Sequence, residues 1–296
     1  MSSPPRITAV ILTWNAEAHI VPCVTTLARS RGVAVDLVVV DNASTDRTLD
    51  RVRASGVPVT ILTSETNLGY AAGNNRGIAQ ALAGDAPFVF VVNDDTEVGP
   101  ETLAHLLDAL VQDPRAAAAA PTILHEHPAG VIWWAGATFS VARALAPHEA
   151  YGRPWRPVPA GGPPEAPRTV TSLCGCALLL RRDALQALGG FRDDFFMYVE
   201  DTELSLRYHR AGWRLLHVPS AVMTHKVAFP EGAPSPAKIR LRDRNRRRLV
   251  RAHYDWRDRL RFSVWFYPTR LLHLVRYLAS GDPARARAIW AGLTEA

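Results

Sequence analysis

Cysteine is scarce in this chain: Cys23, Cys174 and Cys176 are the only three, an odd number. That excludes a disulfide-stapled scaffold and fits a reducing cytosol. Cys174 and Cys176 are too close in sequence for an easy disulfide, and no Cys-x-x-Cys pair marks a zinc site. No apolar run approaches the ~20 residues of a membrane-spanning helix. The N-terminus carries one Arg and a short apolar run without a small-residue cleavage site, which reads as a first strand and not as a signal peptide. A G-x-G-x-x-G fingerprint and a Walker loop are both missing, so dinucleotide and P-loop readings lose ground. No internal repeat is apparent. Disorder is excluded as well: the 296 residues are 48% hydrophobic and only 21% charged, enough for a substantial core.

What is present is an alternation. Apolar, β-branched runs at 7–13, 35–40, 59–62 and 87–92 read as buried strands. The segments 16–30, 46–54, 70–83 and 100–110 read as helices. This order predicts a parallel α/β sheet. From 125 to 168 the pattern dissolves into a long irregular excursion containing WWAG and RPWRPVPAGGPPEAP; loops this long are functional or mobile. A strand at 178–181, a helix over 200–211 stopped by Gly212, and a last strand at 213–218 follow. The segments 245–260 and 268–278 read as amphipathic helices.

Three strands end in polar clusters: Thr13-Trp14-Asn15, Asp41-Asn42-Ala43-Ser44 and Asn93-Asp94-Asp95. Open α/β sheets bind ligands beyond the carboxyl ends of their strands. One such end is usually a turn or helix cap; three in one sheet favour a site. Asn93 and Asp95 point to one side and Asp94 to the other. Oxygens so placed suit Mg2+ or Mn2+ shared with substrate phosphates. Asp41 could accept hydrogen bonds from a base or ribose. Further on, Glu200, Asp201 and Glu203 adjoin FFMYV, where a carboxylate is costly unless stabilised. They are either first-turn helix charges or catalytic acids.

The ordered set ILTWNAEAHI, VVVDNASTDRT, NLGYAAGNNRGI, VVNDDTEV, CGCALLLRR and GGFRDDFFMYVEDTELSLRYHRAGWRLLHVP resembles family 2 glycosyltransferases, in particular their bacterial rhamnosyltransferase-like branch. The resemblance covers residues 6 to 225. It implies a GT-A fold: a mostly parallel central sheet flanked by helices, a nucleotide-sugar half at 1–115 and an acceptor half at 116–235. Residues 236–296 would add a basic, amphipathic helical extension. The resemblance also implies inverting, cation-dependent transfer from a dTDP-rhamnose-like or UDP-sugar donor to a glycan, glycolipid or metabolite hydroxyl. Carried over residue by residue, nucleotide contacts fall on Thr13, Asn15, Glu17 and Asp41. Asn67, Gly69 and Asn74 would line the nucleotide or donor sugar, and Gly175 would permit close approach to it. The metal motif falls on Asn93-Asp94-Asp95 and departs from a strict D-x-D at its first position. Asp95 and His225 would therefore hold Mg2+ or Mn2+, with Asn93 facing ribose or phosphate. Asp201 would be the catalytic base and Glu200 its neighbour, orienting the acceptor or holding the helix start. Trp133 or Trp134 could stack on a sugar or pack in the core. His217, inside a strand, reads as structural.

Two rival readings fit the sequence less well. A nucleotidyltransferase would need a Gly-rich, basic loop after strand one, where this chain has TWNAEAHI. A non-catalytic glycan- or membrane-binding protein would have lost the base or metal ligands, and Asp95, Asp201 and His225 all stand. Charge adds one hint. The basic excess is concentrated in 238–262, where eleven Lys and Arg stand against three Asp in a chain of net charge +6. With Trp256, Trp265, Phe266, Tyr267 and Trp290 it suits either a packed helical pair, such as a homodimer contact, or a helix at the inner face of the cell membrane. Nucleic acid is the less favoured polyanion.

Overall fold

The computed structural model describes residues 4–156, 165–227, 229 and 232–295. Most of the Pro/Gly-rich run, 157–164, lies outside the described residues, as does Met1 to Ser3 of the N-terminus.

The first half alternates strand and helix as its apolar runs dictate. β1 (Arg6–Thr13), α1 (Ile20–Ala28), β2 (Ala34–Asp41), α2 (Thr48–Ala54), β3 (Thr60–Thr63), α3 (Gly69–Ala83) and β4 (Phe88–Asn93) follow in order. β5 (Thr96–Val98) and α4 (Thr102–Gln112) complete it. The core of β1, β2 and β4 is buried on both faces, which is why these runs read as continuous hydrophobics. α3 sits against this sheet through small residues. A Cβ on Gly77 would come within 2.2 Å of Val10 Cγ1, so only glycine lets the helix approach so closely.

The second half departs from the expectation. β6 (Ala116–His125) is a fully buried strand. It was not anticipated, because five consecutive alanines carry helix propensity. In the sheet their small side chains admit neighbours on both faces, and burial overrides propensity. β7 (Ile132–Trp134) falls in the segment read as irregular, and β8 (Arg168–Val170) begins at its last residue. β9 (Ala177–Arg181), α5 (Arg182–Leu188), a short 3-10 turn at Asp193–Phe195 and α6 (Glu200–Arg210) follow. β10 (Arg214–His225) runs on past its expected end at 218, with a register irregularity between Val218 and Val222.

Among the described residues one sheet has the order β3-β2-β1-β4-β9-β6-β10-β5, with β7 on β6 and β8 on β10. β3, β2, β1 and β4 pair in parallel; β9 enters antiparallel to both β4 and β6 and makes the sheet mixed.

Three helices close the chain: α7 (Pro236–His253), α8 (Trp256–Ala279) and α9 (Pro283–Thr294). Ser235, Asp255 and Asp282 cap them by accepting the N–H of Lys238, Asp258 and Arg285. The Asp255 cap explains why the helix expected over 245–260 breaks before Trp256. Pro268, expected at a helix start, lies inside α8. One arginine of the basic run, Arg246, is turned fully inward. Asp243 and Arg246 are 1% exposed and paired at 3.2 Å, Arg270 joins them, and the Arg246 guanidinium lies 4.4 Å from the centre of the Phe266 ring.

Candidate active site

The site is assembled from strand ends on one side and the start of α6 on the other. β4 stops at Asn93, and the Thr96 hydroxyl turns the chain by donating to Asn93 O at 2.7 Å. β5 then pairs antiparallel to β10 with Thr96 opposite His225. This register sets Asp95 beside His225: Oδ1 to Nε2 is 3.1 Å. Asp95 Oδ1 is buried yet receives no aligned hydrogen bond, and His225 Nδ1 is buried and unpartnered as well. Two ligands at ~2.1 Å from one octahedral cation, at right angles, would stand about 3 Å apart. The carboxylate and imidazole therefore fit a shared divalent ion. They are two ligands only: among the described residues no group of three or more His, Cys, Asp or Glu side chains is gathered as for a metal. Asp94 points elsewhere. Burial, with Asp95 alongside, pushes its carboxyl up to about 6.

A cleft of about 1040 Å³ opens beside this pair. Asn93, Trp133, Gly175, Glu200, Asp201 and His225 all line it. Asp201 Oδ2 accepts the Gly175 N–H at 3.0 Å, and Oδ1 accepts the Thr202 N–H at 2.6 Å. Gly175 O in turn accepts the Tyr70 hydroxyl at 2.5 Å. Glu200 differs from its neighbour: it is buried, its Oε2 has no partner, and burial followed by the Asp201 charge pushes its carboxyl well up. Glu203 faces away. It is buried and accepts from Arg207 at 3.0 Å and from His253 at 2.9 Å.

The other expected contacts divide. Asp41 is 3% exposed and accepts the Ser44 N–H. Asn15, Glu17 and Asp46 knit the loop after β1 to the loop after β2. Asn15 Oδ1 accepts the Thr45 N–H at 2.8 Å, and Glu17 Oε2 accepts from Arg47 at 3.3 Å. These side-chain oxygens are engaged within the protein. Asn67 and Gly69 belong to a second internal cluster. Asn42 donates to Asn67 Oδ1 and Gly69 O, and accepts the Leu68 N–H. A Cβ on Gly69 (φ +80°) would come 2.4 Å from the Phe196 ring, so this glycine is required by packing. Asn74 is fully buried and donates to Tyr70 O. None of these three lines the cleft. The tryptophans separate: Trp133 lines the cleft with its ring centre 4.5 Å from that of His225, whereas Trp134 is fully buried edge-on against His217 and offers no face to a sugar. His217 accepts from Arg168 and meets Thr122; burial, then the Arg168 charge, pulls it down to about 3. The Cys23, Cys174 and Cys176 thiols are all raised by burial and are small core fillers.

Sequence reasoning missed the support beneath Asp201. The segment before it turns through three left-handed residues that are not glycine: Phe196 (φ 61°), Tyr198 (φ 70°) and Val199 (φ 75°). A β-branched residue there is a genuine outlier. The segment is held from α7. The Asn245 side-chain amide, fully buried, donates to Phe195 O at 2.7 Å and to Met197 O and Tyr198 O at 2.8 Å. Arg244 also donates to Phe195 O, and Arg248 to Asp194 O. Arg143, Lys238 and Arg242 add positive charge to the cleft wall. Nothing local in the sequence of a basic helix marks these residues as site-facing.

Comparison with known proteins gives consistent results. The pattern of glycosyl transferase family 2 matches residues 8–189. An N-acetylglucosaminyl-diphospho-decaprenol L-rhamnosyltransferase of Mycobacterium tuberculosis is 33% identical, over 75% of this chain and 76% of the relative. The structure of GalNAc-T7 with UDP, GalNAc and Mn2+ superposes with a TM-score of 0.66 at 16% identity. It covers 86% of this chain, which spans about half (49%) of that one. A mannosyltransferase from Pyrobaculum calidifontis, in complex with GDP-Man and Mn2+, gives 0.58 at 19% identity, covering 99% of this chain and 75% of that one. The shared architecture is the GT-A fold.

Proposed function

Given that the chain belongs to glycosyl transferase family 2, we propose that this glycosyltransferase moves a deoxyhexose, L-rhamnose, from a nucleoside-diphosphate donor to a hydroxyl of a diphosphate-linked saccharide, with inversion. The observation that carries the reading is the single cleft that brings Asp201, His225, Asn93 and Trp133 together. The name of the mycobacterial relative supports the sugar and the acceptor class. Arg143, Lys238 and Arg242 in the cleft wall suit an acceptor that carries phosphate charge. Residues 1–115 serve the donor, 116–235 the acceptor and base, and 236–296 form the helical part.

In this reaction the acceptor oxygen attacks the anomeric carbon from the face opposite the diphosphate. The new C–O bond forms as the bond to the diphosphate breaks, and the electron pair leaves with the nucleoside diphosphate. Asp201 takes the acceptor proton, a role worth about 10²–10⁴-fold. The Gly175 N–H fixes the Asp201 carboxylate at one oxygen. Trp133 offers an apolar face to a sugar ring. Asp95 and His225 would hold Mg2+ or Mn2+, and the ion would supply Lewis-acid neutralisation of diphosphate charge.

The test is a panel of nucleotide sugars with Mn2+ or Mg2+, with and without EDTA, followed by thermal shift and nucleoside-diphosphate release. The expected result is a cation-dependent shift with one rhamnosyl donor, and loss of release without loss of the shift in Asp201→Asn. A shift with no nucleotide sugar, or an Asp201→Asn variant that turns over like the parent, would overturn it.

A further inference from the structure

We propose that the outer face of α8 is a docking surface for the interface of an anionic lipid bilayer. Nine of the thirteen large hydrophobic residues exposed on the described protein lie on α8 and α9. Six of them, Leu260, Val264, Tyr267, Leu271, Val275 and Leu278, are 47–68% exposed. They recur at spacings of three and four residues, so they form one stripe along the 24-residue helix. Trp256, 69% exposed, stands at one end of it. The opposite face is anchored: Phe262 and Phe266 are buried, and Trp265 reaches the wall of the cleft. The stripe is therefore the outside of a helix already fixed on its inside, and nothing in the described chain covers it.

Charge selects the occupant. Arg257, Arg261 and Arg276 are exposed on α8. Its only acid, Asp258, is half-buried and paired with Arg261 at 3.2 Å. An apolar stripe with cationic flanks and a tryptophan at its end matches the boundary between acyl chains and anionic headgroups. The arginine stems can lie along the apolar surface while the guanidinium groups reach phosphate. A second copy of the chain fits less well. Pairing two such stripes would set arginine against arginine, with no exposed acid on the helix to answer it. The helix would lie on the bilayer and not cross it: no helix of the described residues is long and apolar enough to span one. Since Trp265 and the stripe share one helix, docking would also fix the cleft at a set height above the surface.

This inference does not depend on the proposed sugar or acceptor. The experiment is flotation of the full chain with phosphatidylcholine vesicles and with vesicles containing about one-third phosphatidylglycerol. The parent is expected to float with the anionic vesicles and to be released by high salt. A Leu271→Glu, Val275→Glu double variant, changed only at exposed positions, should melt like the parent and partition at least about tenfold more weakly. Asp201→Asn should float like the parent, so a failure of the proposed chemistry appears in turnover and a failure of docking appears in flotation. The inference is overturned if the parent ignores anionic vesicles. It is equally overturned if light scattering finds a dimer that the double variant reduces to monomer, since the stripe would then be a contact between copies.

Discussion

Replacing Asn245 tests the link between the C-terminal helices and Asp201, the proposed base. Its amide nitrogen carries two hydrogens and serves three carbonyls, those of Phe195, Met197 and Tyr198. At a net value near 1 kcal/mol per buried hydrogen bond, alanine should cost about 2–3 kcal/mol. The bonds also hold three left-handed residues, Phe196, Tyr198 and Val199, each carrying about 1–3 kcal/mol of backbone strain. That strain would relax once the clamp is gone, so the segment would shift and carry Asp201 with it. For a chain of this size, ~2–4 °C per kcal/mol puts the expected fall in Tm near 5–10 °C. Asn245→Asp is the sharper variant. It has the same shape but aims acceptor oxygens at carbonyls, so it should be worse than alanine. The assay pairs thermal melting with initial-rate kinetics. The expected signature is a fall in kcat with the donor KM held, because the donor-side strand ends do not touch Asn245. Melting within about 1 °C of the parent together with an unchanged kcat would refute the clamp, and so would an aspartate variant as stable as the alanine one.

Three further outcomes follow from the same structure. Asp95→Ala and His225→Ala should each raise the Mn2+ concentration for half-maximal rate by at least about tenfold, the loss that even an outer-sphere partner gives; unchanged cation titrations would remove the pair as ligands. Glu203 is buried, which pushes its carboxyl up, but hydrogen bonds from His253 and Arg207 outweigh this and hold it below the usual value. A carboxyl lowered by folding stabilises the protein above the unfolded pKa of ~4.3 and loses that contribution as pH falls through the folded value. Glu203→Gln should therefore lower stability by about 3 kcal/mol at neutral pH and flatten the acid limb of the pH–stability curve, as chemical denaturation at pH 7 and pH 4 would reveal. Gly77→Ala should cost about 1–3 kcal/mol by overpacking against Val10, read as a lower denaturation midpoint with the slope unchanged.

The strands of the first half were legible because their apolar runs are β-branched and end in polar clusters. β6 was not legible: alanine favours helix in isolation, and only the packing around Ala116–Ala120 makes a strand of it. β10 was read short because Pro219, Ser220 and Ala221 look like a turn, whereas the chain absorbs them as an irregularity and continues to His225. The meeting of Asp95 and His225 followed from ordered motifs, and the register of β5 on β10 supplies its physical cause. Burial was harder to foresee. Trp133 and Trp134 look equivalent in sequence, yet strand alternation sends one to the cleft and the other to the core. The Asn245 clamp lies 44 residues beyond Asp201 on a helix whose pattern is only amphipathic.

The start of α3 has a consequence for how the substrate's charge must be met. Nucleotide-binding α/β folds commonly greet phosphate with the bare amides of a helix N-terminus. Here those amides are answered from within: Leu68 N–H by Asn42, Gly69 N–H by Asn67, and Tyr70 and Ala71 N–H by the carbonyl of Phe196. The positive pole of this helix is already answered by Asn42, Asn67 and the segment before Asp201. In the proposed reaction a diphosphate would meet no waiting dipole at α3, and its countercharge would have to come from a bound cation or from the side chains of the cleft wall, Arg143, Lys238 and Arg242.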